Sequence, residues 1–403
     1  MPEVSDRVPP PLAGVTVVDL SQIYNGPYAT FLLAMGGAHV IKVEPLDGEH
    51  LRRRSAVGGA ALPFAMLNAN KHPVTLNLKS ADGRELLLQM VRRADVLVEN
   101  FAPGVMDRLG LGWPQLQAAN RRLIYASSSG FGSSGPSRDF PAMDLTVQAM
   151  SGVMSVTGFA DRPPVKAGPA LCDFLAGIHL YGAIATALYE RERTQVGRQV
   201  EVSMQEAVYA SLASNLGLFF GSGGRVPLRT GNSHGGLAES PYNVYPTADG
   251  WIAILCAGEP QWASLARVMG RPELVQDPRF SDLKARVAHR DEVDAIVAGF
   301  TETQHKSALF QRLMAERIPC SPVRDLEEVV NDAHLHERGF LRWIDHPTLG
   351  RIVVPSSPLR FFGTPLMAHS PSRGLGSDND AIYREWLGLP ADSLAELKRN
   401  GVI

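Results

Sequence analysis

Within residues 1–130, short β-branched and aliphatic runs alternate with helix-like segments, and this alternation restricts the fold more than any other feature of the chain. Val15–Leu20 (VTVVDL) reads as a strand. Asn25-Gly26-Pro27 then opens a helix, because proline suits a first helical turn. The helical TFLLAM stops at Gly36-Gly37, and His39–Val43 (HVIKV) is the next strand. Ser80 precedes the helical pattern ADGRELLLQMVRR, which gives way to the strand Asp95–Val98. A helix through Leu116 leads on to the strand Leu123–Ala126. Near-continuous apolar strands separated by helices are strands covered on both faces, so the spacing predicts a Rossmann-like, doubly wound α/β domain with a parallel sheet.

Further along, Leu145–Val156, Phe174–Glu192 and Gln205–Phe220 are predicted helices. Residues 221–240 are rich in Gly, Ser and Asn, as linkers and active-site loops both are. Tyr242–Leu255 (YNVYPTADGWIAIL) is two strands about an Asp249-Gly250 turn, a strong hairpin signal. Helical segments follow to about Arg317, then a second hairpin-like run (HPTLGRIVVPSSPLRF) and a polar helical tail. The expected division is a large α/β domain over 1–220, a linker or active-site loop over 221–240, and a smaller α+β domain over 241–330. Residues 331–403 are then a return linker and a C-terminal part of the large domain.

A formal net charge of −2 gives no global basic field, so neither nucleic acid nor an anionic membrane is an expected partner. Cys172, Cys256 and Cys320 form no CxxC pair and no disulfide framework, which fits a reducing cytoplasm. The first residues lack the apolar core of a signal peptide. The longest apolar stretch, Phe174–Tyr189, is interrupted by His179 and expected to be shorter than a membrane span. No GxGxxG follows the first strand, no P-loop occurs, and GFGSSG at Gly130–Gly135 lacks the Gly-x-Ser-x-Gly spacing. His334, His336 and Glu337 have no partner cluster, so no metal site is expected. Hydride transfer, nucleotide hydrolysis and serine hydrolysis drop out as leading functions.

Chemistry concentrates at Ala167–Gly177 (AGPALCDFLAG), where a loop becomes a long apolar helix. Asp173 there has two readings. It is an ordinary N-cap candidate, or it is a carboxylate held against helix N–H groups and kept ionised at neutral pH. An ionised carboxylate can attack a thioester to give a mixed anhydride. Gly168, Ala170 and Gly177 leave room for a bulky thioester, and equally suit tight packing.

The chain resembles the class III CoA-transferases, the CaiB/BaiF family, which includes formyl-CoA transferases and α-methylacyl-CoA racemases. The matching pieces occur in order from about residue 11 to the C-terminus: PLAGVTVVDLS…GPYAT, VIKVEP, LNANK with LNLKS, ADVLVENFAPGVMDRLGL and RLIYASSSGFG. DLTVQAMSG, the Asp173 segment, RERTQVGRQVEVSMQEA, GNSH…SPYNVYPTADG and IPCSPV follow. The resemblance implies an acyl-CoA:carboxylate CoA-transferase with succinyl-CoA among its possible donors, Asp173 as acyl-carrying nucleophile, and no metal or permanently bound cofactor. Coenzyme A thioesters are then substrates. It also implies an interlocked homodimer. Ile23, Tyr24 and Asn25 would lie beside the pantetheine arm and thioester; Leu76, Asn77 and Lys79 would line the adenine and phosphate region, with Asn100, Phe101, Ala102 and Arg108 completing it. Gly235 and Gly236 are candidate oxyanion donors, in a loop (SHGGLAES) shorter than the family's formyl-CoA transferases carry. Many members have an arginine after the VIKVE strand, where Pro45 stands here; Arg52-Arg53-Arg54 is a candidate substitute.

Racemases of the family place a histidine immediately before the aspartate of the DLTVQAMSG motif, as one of two opposed acid/base groups. That position is Met143, which cannot move a proton, so transfer is favoured over racemisation. Glu259 matches the acid that supports the missing histidine and is left as a structural or substrate-contacting group. A catalytically silent CoA-binding scaffold is the alternative from another class. Arg229, His234 and Tyr242 are candidates to face the acyl group, where a cation would suit a dicarboxylate.

Overall fold

The computed structural model describes residues 8–54 and 61–403. Six strands, β1 (Thr16–Asp19), β2 (His39–Glu44), β3 (Lys71–Thr75), β4 (Val96–Glu99), β5 (Ile124–Ser129) and β6 (Gln199–Ser203), form one sheet. Their order is 3-2-1-4-5-6 and each neighbouring pair is parallel. In this topology the chain reverses its direction of travel between β1 and β4, and the loops leaving those two strands part to open a crevice at their C-terminal ends. The expected strands at 15–20, 39–43, 95–98 and 123–126 are all present, with bounds shifted by one to three residues.

Strands β3 and β6 have no counterpart in the sequence reading, for a physical reason. Both lie at sheet edges. Pro73 inside β3 lacks a ladder donor, which an edge tolerates. β6 carries the exposed polar residues Gln199 and Glu201, so it lacks the apolar run of a strand buried on both faces.

Side chains alternate across the sheet as the pleat requires. Val17, Val40 and Val96 face a core shared with helix α1 (Asn25–Met35). Val18, Ile41 and Leu97 face the other core, shared with α2 (Ala81–Arg93). α2 begins where expected, because the Ser80 hydroxyl accepts from Gly83 N at 3.0 Å, and it buries Leu86, Leu87, Met90 and Val91 as one stripe. The chain's last residues pack into that same core through Ile382, Tyr383, Leu394 and Val402. Asn77 N donates to Val402 O at 2.8 Å, tying the tail to the end of β3.

The predicted helix 145–156 is broken at Gly152 (φ +92°) into α3 (Asp144–Met150) and a turn at Val153–Val156. The predicted helix 205–220 is likewise three pieces, Met204–Tyr209, Ala210–Leu212 and Ala213–Ser222. The helix carrying Asp173, α4, runs from Leu171 to Thr194, 24 residues with a mean hydropathy of 1.5 in its most apolar window. By length and composition it could cross a membrane, which corrects the expectation of a shorter stretch. Leu180, Ile184, Ala187 and Leu188 spend that hydropathy on the sheet's α1-side core.

The chain divides into two units. The first comprises the chain up to Val147, Ala170–Val208 and Val330–Ile403; the second is Gln148–Pro169 with Tyr209–Val329. Residues 148–169 and 209–220, assigned by the sequence to the large domain, therefore cluster with the second unit. A bridge between Phe159 and Thr230 and the Arg229 guanidinium on the carbonyls of Phe159, Ala160 and Arg162 hold residues 148–169 there. In the second unit, β7 (Tyr242–Thr247) and β8 (Gly250–Leu255) form the expected antiparallel hairpin, extended by β9 (Cys320–Pro322). Its α+β core joins Tyr245, Ile252 and Ile254 to Trp262, Val293, Val297, Leu309 and Leu313 from three helices. In the first unit, β10 (Leu341–His346) and β11 (Gly350–Pro355) form the second hairpin.

A buried ionic cluster joins the C-terminal end of β1 to Lys42 of β2 and to Lys71, the first residue of β3. Lys71 Nζ donates to Asp19 Oδ2 (3.0 Å), Thr30 Oγ1 (2.7 Å), Asn68 Oδ1 (3.0 Å) and Pro27 O (3.0 Å). Lys42 donates to Ser21 O and lies 3.9 Å from Asp19. Burial would raise the Asp19 carboxyl, but the two ammonium groups and the Ser21 and Thr30 hydroxyls hold it well below the usual carboxylate range. Removing one member leaves charge and polar groups buried without partners. Lys71→Met is therefore expected to destabilise the first unit by about 3–5 kcal/mol, read as a lower urea midpoint by circular dichroism.

Candidate active site

Two loops form the crevice after β1 and β4, and Asn100 ties them together. Its Oδ1 accepts from Gln22 N (2.8 Å), and its Nδ2 donates to Gln22 O (2.7 Å) and Asn25 Oδ1 (2.8 Å). Ile23 adopts φ +67°, a strained conformation for a β-branched residue, and its N–H is held by Glu49 Oε2 at 3.2 Å. Glu49 is buried, which raises its carboxyl above the usual value.

A cavity of about 600 Å³ opens over these loops. Its lining includes Gln22, Ile23, Asn25, His50, Asn100, Phe101, Ala102, Arg108, Ser128, Ser129, Met143, Met204 and Asp173. A second cavity, of about 510 Å³, is lined by Leu76, Asn77, Lys79, Pro45 and Glu49, and shares Gln22 and Phe101 with the first. The candidate residues Ile23, Asn25, Asn100, Phe101, Ala102 and Arg108 thus share a cavity with Asp173, while Leu76, Asn77 and Lys79 line the neighbouring one. Tyr24 lines neither; its ring stacks on Phe174 at 5.9 Å, beside the nucleophile candidate. Arg52 is bound to Glu44 (2.8 and 3.0 Å) and to Arg373 O, and Arg53 to Asp47, so neither is a free cation.

Asp173 is the third residue of α4, not its N-cap. Ala170 occupies the cap position with no side-chain bond, and the capping acceptor comes from elsewhere. Asp144, at the start of α3, accepts through Oδ1 from Cys172 N (2.9 Å) and Asp173 N (3.3 Å). The helix N–H groups are thus taken by a second carboxylate. Burial, reinforced by the Asp144 charge, pushes the Asp173 carboxyl up to about 7. This reverses the expectation of a carboxylate stabilised in its ionised form: Asp173 is 7% exposed and its charge is held at a cost. Asp144 is the residue the sequence reading passed over; it lies 29 positions away, and only its place in the quoted DLTVQAMSG motif could have marked it.

α1 crosses α4 closely at Gly177, one turn beyond Asp173. A Cβ there would lie 2.6 Å from Asn25 O, so glycine lets the Asn25 loop approach the helix that bears the acid. Met143 lines the same cavity as Asp173.

The second-unit candidates are engaged within that unit. His234 Nδ1 accepts from Gly236 N (3.2 Å) and Ala238 N (3.3 Å), and its ring packs edge-on against Tyr242. The Gly236 N–H therefore has a partner in its own loop; Gly235 packs against Asn215. Glu259 accepts from Arg286 at 2.7 and 3.3 Å and from Leu283 N at 2.9 Å. His336 binds Val330 O, and no group of metal-ligating side chains occurs among the described residues.

Residues 12–379 match the model of CoA-transferase family III. A formyl-CoA:oxalate CoA-transferase of Streptomyces avermitilis is 38% identical, with 97% of this chain and 99% of that enzyme covered. A succinate–glutarate CoA-transferase of Agrobacterium fabrum is 35% identical over 93% and 96% of the two chains. The crystal structure of a CaiB/BaiF family protein from Brucella suis superposes with a TM-score of 0.81 at 32% identity, covering 94% of this chain and all (100%) of that one.

The raised Asp173 carboxyl has a consequence for stability. Its neutral form is favoured in the fold, so the associated stability is present below pH 3.8, the group's ordinary value, and is lost as pH rises through about 7. Asp173→Asn is expected to melt with the native chain in acid and several degrees above it at pH 8. Asp144→Asn, which keeps the capping oxygen, reproduces part of that gain; thermal melts across pH 4–8 check both.

Proposed function

The chain belongs to CoA-transferase family III, and from that premise we propose that it carries CoA between carboxylic acids through acyl intermediates on the Asp173 carboxylate. One observation supports this above all: a desolvated carboxyl beside a second carboxylate, on the floor of a cavity large enough for a thioester. A solvated carboxylate is a weak nucleophile. Burial and Asp144 raise the energy of the Asp173 anion, and acylation removes its charge, so the strain is released along the reaction coordinate.

In the first step the Asp173 oxygen attacks the donor carbonyl, the C–S bond breaks, and CoA leaves as thiolate. The thiolate then attacks the aspartyl carbonyl of the anhydride, releasing the donor acid and leaving an aspartyl-CoA thioester. The acceptor carboxylate attacks that thioester, the C–S bond breaks, and CoA thiolate leaves again as a second anhydride forms. CoA thiolate finally takes the acceptor acyl group and returns Asp173 as carboxylate. Each step exchanges one acyl bond for another of similar energy, so no nucleotide, metal or resident cofactor is needed.

CoA would run from the Asp173 cavity, past Gln22 and Phe101, into the cavity of Leu76, Asn77 and Lys79. Lys79 and Arg108 would meet its phosphates. The relatives' names print oxalate, succinate and glutarate, which supports small dicarboxylates as the acids, and a further relative's name prints succinyl-CoA, which supports it as a donor. The protein would work as a cytoplasmic, interlocked homodimer. Ile178 and Tyr189 on the outer face of α4 (47% and 67% exposed) and Phe362 (99% exposed) are apolar groups that a second copy would cover.

Racemisation is the second reading, and Met143 in the cavity stands against it. A chiral 2-methylacyl-CoA in D₂O without acceptor acid should show no α-deuteration; rapid exchange by NMR would replace the transferase reading. Asp173→Ala is expected to lower transfer at least about a thousandfold, on the scale of losing an essential catalytic group, while CoA still binds by calorimetry. In the native protein, mass spectrometry after succinyl-CoA treatment should find a CoA adduct on the peptide containing Asp173.

A further inference from the structure

We propose that Arg138 is a specificity-determining residue, binding the remote carboxylate of a dicarboxylic acyl group whose other end is at Asp173. This rests on the transferase reading above and adds the group that selects the acid.

Arg138 lines the same cavity as Asp173. Its Nε donates to Asp139 Oδ1 at 3.2 Å, while the two terminal guanidinium nitrogens have no partner among the described residues. The other arginines considered for anions differ. Arg229 is bound through Nε and a terminal nitrogen to three carbonyl oxygens of its own unit, and Arg52 through all three nitrogens to Glu44 and Arg373 O. Arg53 is bound through a terminal nitrogen to Asp47, whereas Asp139 takes only the Nε of Arg138. Arg108 follows Phe101 on the segment assigned to CoA. Arg138 is the remaining arginine in the cavity lining.

The loop that carries it is built rather than loose. Its two limbs touch, since a Cβ on Gly130 would lie 2.0 Å from the Ala142 Cβ. Gly132 (φ +85°) and Gly135 (φ +80°) supply the left-handed turns between them. Phe140 packs edge-on against Phe131 at 6.1 Å, and Met143 N donates to the Thr146 hydroxyl at 2.9 Å. Arg138 is thereby held at the rim, with the apolar side chains of Phe140 and Met143 following it in the lining.

The electrostatics call for such a group. Asp173 and Asp139 line this cavity and Asp144 lies beside Asp173, so a doubly charged acid needs a cation at its far end to offset them. A guanidinium with its terminal fork open binds a carboxylate through two parallel N–H···O bonds. The methylenes between the two carboxylates would lie along Phe140 and Met143. A monocarboxylate of equal length places a methyl group at Arg138 and gains nothing from it.

The test uses the full-length protein with acetyl-CoA as donor and two pairs of acceptors matched in length, succinate with butyrate and glutarate with valerate. A half-exposed charged hydrogen bond of this kind corresponds to about a tenfold effect. Arg138→Gln is therefore expected to raise KM for succinate and glutarate about tenfold, with KM for acetyl-CoA and the monocarboxylates unchanged. Arg138→Lys, which keeps the charge without the fork, should fall between. Equal changes for both acids of a pair, a rise confined to acetyl-CoA (a phosphate contact instead), or no change overturns the assignment. So does a native protein that uses butyrate as readily as succinate. Absence of any CoA adduct on Asp173 strikes the transferase reading itself, and the mass measurement reports that separately.

Discussion

The buried contact between Lys71 and Asp19 organises the working edge of this protein. Lys71 stands on the edge strand β3 and Asp19 at the end of β1, with β2 between them. The same ammonium also holds Pro27 O and Thr30 in the first two turns of α1. One side chain therefore fixes where β1 ends, where α1 begins and how the loop between them runs. That loop carries Gln22 to Asn25, and Asn100 fastens it to the loop after β4. A charge cluster in the interior is a poor source of net stability, but it rewards only one arrangement of its members. Here that arrangement is the crevice itself.

Asp173 is shaped by the opposite condition, a charge whose surroundings disfavour it. Asp144 takes the N–H groups at the head of α4 and adds a like charge, so the helix terminus that would ordinarily stabilise an acid is already occupied. A carboxyl poised near neutrality is available in both protonation states, a condition that functional acids and bases share. The long helix behind it gives rigid support, with its inner face in the sheet's core. Gly177 brings the Asn25 loop against that helix one turn away.

The frame and the selection of substrate belong to different parts of the chain. Sheet, α1 and α4 frame the cavity and place Asp173 in it, while the loop between β5 and α3 brings Arg138, Phe140 and Met143 to the cavity lining. Loops on a rigid scaffold can change without disturbing the core, which fits a family whose members share a fold and differ in the acids they exchange.

The sequence by itself determined the parallel α/β frame, the Asp249-Gly250 hairpin and the place of Asp173 at the head of a long helix. Each is written in local periodicity or in turn chemistry, which neighbouring residues settle among themselves. β3 and β6 escaped because edge strands need neither a full apolar run nor every donor. Only the tertiary structure decided the charge state and company of the functional groups. Asp144 meets Asp173 across 29 residues, Glu259 is taken by Arg286, Gly236 N–H by His234, and Arg229 by carbonyl oxygens. Electrostatics depends on distance in space and on burial, and neither is encoded in spacing along the chain. That is why the position of Asp173 was legible while its raised carboxyl, and the Nε-only engagement of Arg138 among the described residues, were not.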